Sequence, residues 1–254
     1  MPIVESAPTN PPREVFDGLL ELYNHGHLHL ATIRAEKLTK AFPRSSILWN
    51  IQGVVNLGAG RYEQAEADFR KATYFNSQYI SALNNLGVAL QKLGKFEDSI
   101  NTLTKVVNLK PDYAEAHYNL GIILNEQGRY DECIASYYRA IALKPGYADA
   151  YNNLGSIFSD LFEYDAAQNT LNEAIKLKPE FAYAHNNLGL VYQDLNRFTE
   201  AIECFNKSIN IDKNFAEAYN NLGNVLKDLG KYNEAIEYYN KAIEIKANYT
   251  EAKS

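Results

Sequence analysis

The chain has 254 residues, 46% of them hydrophobic and 22% charged, with a formal net charge of -6. That balance suits a folded chain with a core, and its scattered Lys and Arg lack the basic stripe of a nucleic-acid surface. No apolar run reaches the ~20 residues of a membrane span, and Cys133 and Cys204 are too few for a disulfide framework or a zinc site; the expectation is a soluble, cytoplasmic protein that binds neither nucleic acid nor membrane.

The first stretch, MPIVESAPTNPP, holds four prolines and lacks the basic and apolar regions of a secretory leader. Residues 1–11 are therefore expected to be a disordered tail. Beyond it the six letters LNNLGV at 83 return as YNNLGS at 151, HNNLGL at 185 and YNNLGN at 219, spaced by 34 residues or twice that. A fixed period of this length marks stacked supersecondary units. Cutting the chain at that period gives seven units, 12–45, 46–79, 80–113, 114–147, 148–181, 182–215 and 216–249, each with two helical patterns and a turn.

Unit one is divergent and carries HGHLH at 25–29. Gly26 falls at the turn, so His25, His27 and His29 flank a loop rather than share a helical face, and no metal site is expected there.

From the second unit on, each column has a physical role. Position 4 is large (Trp49, Leu83, His117, Tyr151, His185, Tyr219), position 7 is Leu in five units, and position 8 is glycine in six. A mid-helix glycine costs about 1 kcal/mol relative to Ala, so a close neighbour is expected. The small residue at position 20 (Ala65, Ser99, Cys133, Ala167, Ala201, Ala235) is the expected one. Position 15 carries Gly26, Gly60, Gly94, Gly128 and Gly230, as a left-handed C-cap requires; Asn196 can substitute there, and Phe162 cannot comfortably. Positions 17 and 24 are large, and Pro43, Pro111, Pro145 and Pro179 end the second helix.

A helix pair of period 34 with a large residue, Leu-Gly, Ala, an aromatic, Ala and Pro in that order resembles the tetratricopeptide repeat. The resemblance implies an all-α, right-handed superhelical α-solenoid of helix-turn-helix repeats, with first helices lining a concave groove.

At about 100° per residue, positions 2, 5, 6, 9 and 13 of the first helix lie opposite its packing face, towards that groove. Position 6 holds Asn85, Asn119, Asn153, Asn187 and Asn221, and position 5 holds Asn84, Asn152, Asn186 and Asn220, with Asn50 before them. An amide offers donors and an acceptor, so these residues are candidate contacts for the backbone of an extended peptide. Packed helices stand about 8–10 Å apart, close to three residues of extended chain. Position 9 is mostly apolar (Val54, Val88, Ile122, Leu190). Position 13 (Glu126, Asp160, Asp194, Asp228) and position 2 (Glu115, Asp149, Glu217) are acidic, which favours a basic or neutral ligand over an acidic one. The unit AEAYNNLGNVLKDLGKYNEAIEYYNKAI is similar to repeats of O-linked N-acetylglucosamine transferases, and that resemblance implies a polypeptide-holding role for the position-6 asparagines. The basic carboxylate clamp of the chaperone-tail binders is missing, since only Lys92 and Lys227 fall on groove positions. A second reading stays open: the asparagines are uncharged filler, or bond across to the next repeat and stiffen the stack.

No phosphate loop, nucleophile motif or insertion that could house a catalytic site is present, so no enzyme and no cofactor are expected. The last letters, TEAKS, align with the start of another repeat, so residues 250–254 are read as a truncated unit. Ile236, Tyr239 and Ile243 are then expected to lie bare. Three functions fit: a scaffold for an extended peptide, a module that self-assembles through its C-terminal repeat, or the recognition arm of a glycosyltransferase or sulfotransferase whose catalytic domain lies beyond this sequence.

Overall fold

The computed structural model describes residues 10–251. Residues 1–9 of the expected tail and 252–254 of the truncated unit lie outside them. Among the described residues fourteen helices follow one another and no strand occurs.

The chain divides within α8 into two compact units, one ending at Ser136 and the other beginning at Tyr137. The first holds α1 (Arg13–Asn24), α2 (Leu28–Ala41), α3 (Ser46–Gly58), α4 (Tyr62–Phe75), α5 (Ile80–Lys92), α6 (Phe96–Leu109), α7 (Ala114–Glu126) and the front of α8 (Tyr130–Leu143). The second holds the rest of α8, then α9 (Ala148–Asp160), α10 (Tyr164–Leu177), α11 (Ala182–Asp194), α12 (Phe198–Ile211), α13 (Ala216–Asp228) and α14 (Tyr232–Glu251). Each unit is a run of antiparallel hairpins, in which a helix packs on its own partner and on the next hairpin. Leu48, Val55, Phe69 and Leu103 are sealed in the first, and Leu154, Ile157, Leu171 and Phe205 in the second.

The hairpin turns follow from the position-15 residue. Gly94, at φ 71°, lets its N–H reach Gln91 O at 2.9 Å while Lys95 N reaches Leu90 O at 2.9 Å, which satisfies two orphan carbonyls at the helix end. Asn196 and Phe162 occupy the same left-handed region at φ 56° and 62°. For a phenylalanine this is strained backbone.

The glycine at position 8 has a different neighbour from the one expected. A Cβ on Gly53 would lie 2.5 Å from the Phe69 ring, and one on Gly155 would lie 2.6 Å from Leu171 Cγ. The obstacle is thus the large residue at position 24, whose side chain lies over the glycine. Position 20 stays small for another reason in two repeats, where it hydrogen-bonds to the glycine carbonyl: Ser99 Oγ donates to Gly87 O at 2.6 Å and Cys133 Sγ to Gly121 O at 3.1 Å. Burial pushes the Cys133 thiol up to about 12, which keeps it unreactive.

Second helices end at proline, or at a side chain that does its work. Where proline is missing, Asn76 Oδ1 accepts from Gln78 N at 3.2 Å and Asp212 Oδ1 from Asn214 N at 2.9 Å; such turns draw the backbone out of the helix. Lys246 and Ala247 offer neither device, and α14 runs on to Glu251.

Candidate peptide-binding surface

The asparagines stand on the first helix of each hairpin and are bonded to one another. In the first unit Asn85 Nδ2 donates to Asn50 Oδ1 at 3.1 Å, and Asn119 Nδ2 to Asn84 Oδ1 at 3.0 Å. In the second, Asn187 Nδ2 donates to Asn152 Oδ1 and Asn221 Nδ2 to Asn186 Oδ1, both at 3.0 Å. In these four repeats position 6 therefore reaches back to position 5 of the repeat before it. In the second unit the line is continuous. Asn186 Nδ2 points to Asn187 Oδ1 at 3.5 Å, Asn152 Nδ2 donates to Asn153 Oδ1 at 3.2 Å, and Asn153 Nδ2 reaches Tyr137 Oη at 3.4 Å. Each of the four bonds between repeats is donated to the preceding repeat, so these bonds share one sense along the row.

The two columns differ in exposure. Asn50, Asn84, Asn152 and Asn186 are buried, so position 5 does not offer the open surface expected of it; the following first helix covers it and its carbonyl is already taken. Asn220 alone of that column is exposed. Position 6 is half-buried in all five repeats. Each of Asn85, Asn119, Asn187 and Asn221 commits one N–H to its neighbour. An amide has a second N–H and two oxygen lone pairs, so each retains donor and acceptor capacity.

Around the row, Val54, Val88, Ile122 and Leu190 are half-buried, and Glu126, Asp160, Asp194 and Asp228 are exposed. Gln91 Nε2 donates to Glu126 Oε1 at 2.6 Å, tying this acidic column to the preceding repeat. Burial pushes the Asp160 carboxyl above its ordinary value.

Other marked residues have structural partners. Trp49 Nε1 donates to Pro43 O at 2.8 Å, and the ring Nε2 of His117 and of His185 meets the carbonyls of Pro111 and Pro179 at 3.0 and 2.9 Å. A carbonyl only accepts, so these ring nitrogens carry the proton. His25 and His27 stack at 6.5 Å, and among the described residues no group of three or more His, Cys, Asp or Glu could hold a metal ion. No helix of the described residues is long and apolar enough to cross a membrane.

Sequence reasoning passed over one polar cluster. Gln52 and Asn56 stand at positions 7 and 11, which are Leu or aromatic in the five following units. That break in the columns was the available signal.

Paired helices on a 34-residue period, packed hairpin on hairpin, define a helical-repeat scaffold. Tetratricopeptide repeat models match residues 112–180 and 180–248, and further ones match 92–125 and 17–79. The chain belongs to the tetratricopeptide repeat family. It is similar to the crystal structure of MamA, with 31% identity over 65% of this chain and 97% of that one, at a TM-score of 0.58. The fold is shared with a chain in the crystal structure of the APC/C hetero-tetramer Cut9-Hcn1 (20% identity, 91% of this chain and 46% of that one, TM-score 0.76). It is also shared with YrrB, described as a TPR protein with an unusual peptide-binding site (18% identity, 72% and 95%, TM-score 0.56). No curated protein sequence matches the chain.

Proposed function

We propose that this protein is an interaction scaffold that holds an extended, basic or neutral peptide segment along the position-6 asparagines of its first helices. The observation that carries this is the state of those amides: half-buried, oriented by a bond to the preceding repeat, and still possessing donor and acceptor capacity. Their orientation is set before binding, so little rotamer entropy remains to be lost. Backbone N–H and C=O groups of a peptide are the matching chemistry. Position 9 supplies apolar contact for its side chains, and the acidic column at position 13 sets the sign of its charge. Peptide binding by YrrB is a precedent on the same fold.

The direct test is a panel of extended peptides of varied charge, titrated against the wild-type chain and against Asp194→Lys/Asp228→Lys. Basic peptides should bind the wild type and lose affinity for the reversed variant. Equal binding of acidic and basic peptides to both forms would refute the charge assignment, and failure of every peptide would refute the groove.

A second reading has its own observation. Ile236 and Ile243, two of the residues expected bare, are 55% and 65% exposed on α14 and Tyr232 beside them is 65% exposed, whereas Tyr239 is half-buried and donates to Asn224 Oδ1 at 2.8 Å; the three exposed residues make an apolar face of the kind that pairs repeat arrays. A mass that rises with concentration in the wild type, and stays monomeric in Ile236→Glu/Ile243→Glu, is its signature.

A further inference from the structure

The polar cluster at the α2, α3 and α4 packing lies on the other side of α3 from the asparagines. Asp68 is 5% exposed, and both carboxylate oxygens are held by neutral amides: Gln52 Nε2 donates to Oδ1 at 3.1 Å and Asn56 Nδ2 to Oδ2 at 2.6 Å. The network continues outwards. Thr39 Oγ1 donates to Gln52 Oε1 at 2.8 Å, Arg61 Nε to Asn56 Oδ1 at 2.8 Å, and Arg61 Nη2 to Thr32 Oγ1 at 2.8 Å. Asp68, Gln52, Asn56, Arg61 and Thr32 open on a cavity of about 380 Å³, which Glu36, Gln64 and Ala67 also line.

The rest of the chain shows what this interface would otherwise contain. In the five following units position 7 is Leu86, Leu120, Leu154, Leu188 and Leu222, and position 11 is Leu90, Leu124, Phe158, Tyr192 and Leu226. Most of these are buried apolar core. Only here do Gln52 and Asn56 replace them, opposite the one acid in the position-23 column, Asp68. Exchanging leucine for an amide gives up apolar burial each time. Coordinated departures from a protein's own pattern mark sites where something other than stability is served.

We infer that this cavity is a binding site for a single monovalent organic cation, a guanidinium or primary ammonium group, seated between Asp68 and Glu36. Two carboxylates and one guanidinium line the space, so its net charge is negative. Among the described residues Asp68 has no cationic hydrogen-bond partner, and it retains lone pairs beyond the two in use. Burial pushes its carboxyl above the ordinary value, with Glu36 adding to the rise; the two amide bonds and Lys71 oppose it without cancelling it. A ligand cation would remove that cost, because a charge-assisted bond gains in a site of low dielectric. Arg61 forms no ion pair among the described residues, being held by neutral acceptors; it caps one end of the cavity and disfavours a second positive charge. The volume lies at the small end of ligand pockets, roughly 300–1,000 Å³, and fits one such group with its stem. The group comes either from a free amine or from an Arg or Lys side chain of a partner.

The test is a titration followed through the side-chain amide signals of Gln52 and Asn56 by nitrogen–proton correlation spectra. The probes are millimolar methylguanidinium, propylammonium and putrescine, together with an acetylated Gly-Arg-Gly amide; sodium chloride and sodium acetate are the controls. Saturable shifts at both amides with the monovalent cations are expected, with putrescine no tighter than propylammonium. Asp68→Asn should weaken binding at least about tenfold, as loss of a hydrogen bond to a charged group does. Glu36→Gln, at an exposed position, should weaken it severalfold without touching the fold, and decides the matter should Asp68→Asn not fold. A tripeptide that binds tenfold tighter than methylguanidinium assigns the group to a partner chain; equal or weaker binding assigns it to a free amine. The inference is overturned if no cation gives a saturable shift, if both variants bind as wild type does, or if acetate binds instead.

Discussion

Replacing Asn187 by alanine tests the amide row most directly. The change removes the donor to Asn152 Oδ1 at 3.0 Å, and Asn152 is only 7% exposed, so water cannot readily take the vacated place. A buried carbonyl left without its donor costs about 1–3 kcal/mol. The longer contact from Asn186, at 3.5 Å, adds little. For a chain of this size each kcal/mol shifts the midpoint by roughly 2–4 °C, so Asn187→Ala should melt roughly 2–12 °C below wild type. Asn152→Ala should cost a similar amount, and the double variant clearly less than the sum, since the bond can be lost only once. Asn220, exposed at the equivalent of the buried column, is the control: its alanine variant should stay within about 0.5 kcal/mol of wild type. Thermal and urea unfolding of the five proteins checks this. If Asn187→Ala is as harmless as Asn220→Ala, or if Asn187 and Asn152 prove additive, the amides are not a bonded row. The result also bears on binding assays, because peptide affinity lost in an asparagine variant counts against the groove contact only at a temperature where that variant is folded.

Other predictions follow from single side chains. Gly155→Ala should destabilise by about 1–2 kcal/mol, the cost of overpacking against Leu171 less the helical gain of alanine; coupling to Leu171→Val rather than to Ala167→Gly in unfolding cycles would confirm which neighbour is responsible. Phe162→Gly should stabilise by about 0.5–1 kcal/mol, since it relieves a left-handed residue whose ring is 77% exposed; an unchanged or lower midpoint counts against strain at this turn. Glu66 is pushed up by burial, but its hydrogen bonds to Lys95 at 2.7 Å and Arg70 at 2.9 Å more than reverse this and hold its carboxyl below the ordinary 4.5. Its contribution to stability is thus complete above that value and lost as pH falls through the lowered one. Asp68, raised above 3.8, works in the opposite direction: stability falls as pH rises from 3.8 through its folded value. Glu66→Gln should flatten the acid limb of the stability profile, and Asp68→Asn should steepen it.

Much of this molecule was legible in its letters. The 34-residue period, the turn glycines and the alternation of large and small columns determine which residues form helices and where the hairpins bend, because these are local effects of backbone conformation and periodic burial. The same columns locate the asparagines on the first helices and the acids beside them. Tertiary structure decided how neighbours meet. The glycine at position 8 accommodates the side chain at position 24, sixteen residues on, and a one-dimensional pattern cannot distinguish that partner from the small residue at position 20. Position 5 and position 6 look alike in sequence, yet the next first helix covers one and leaves the other half open, so only packing separates a structural amide from one with capacity to spare. The cluster around Asp68 was visible as a break in two columns, but its meaning depended on three helices bringing two carboxylates, two amides and a guanidinium around one cavity, which is a property of their convergence in space.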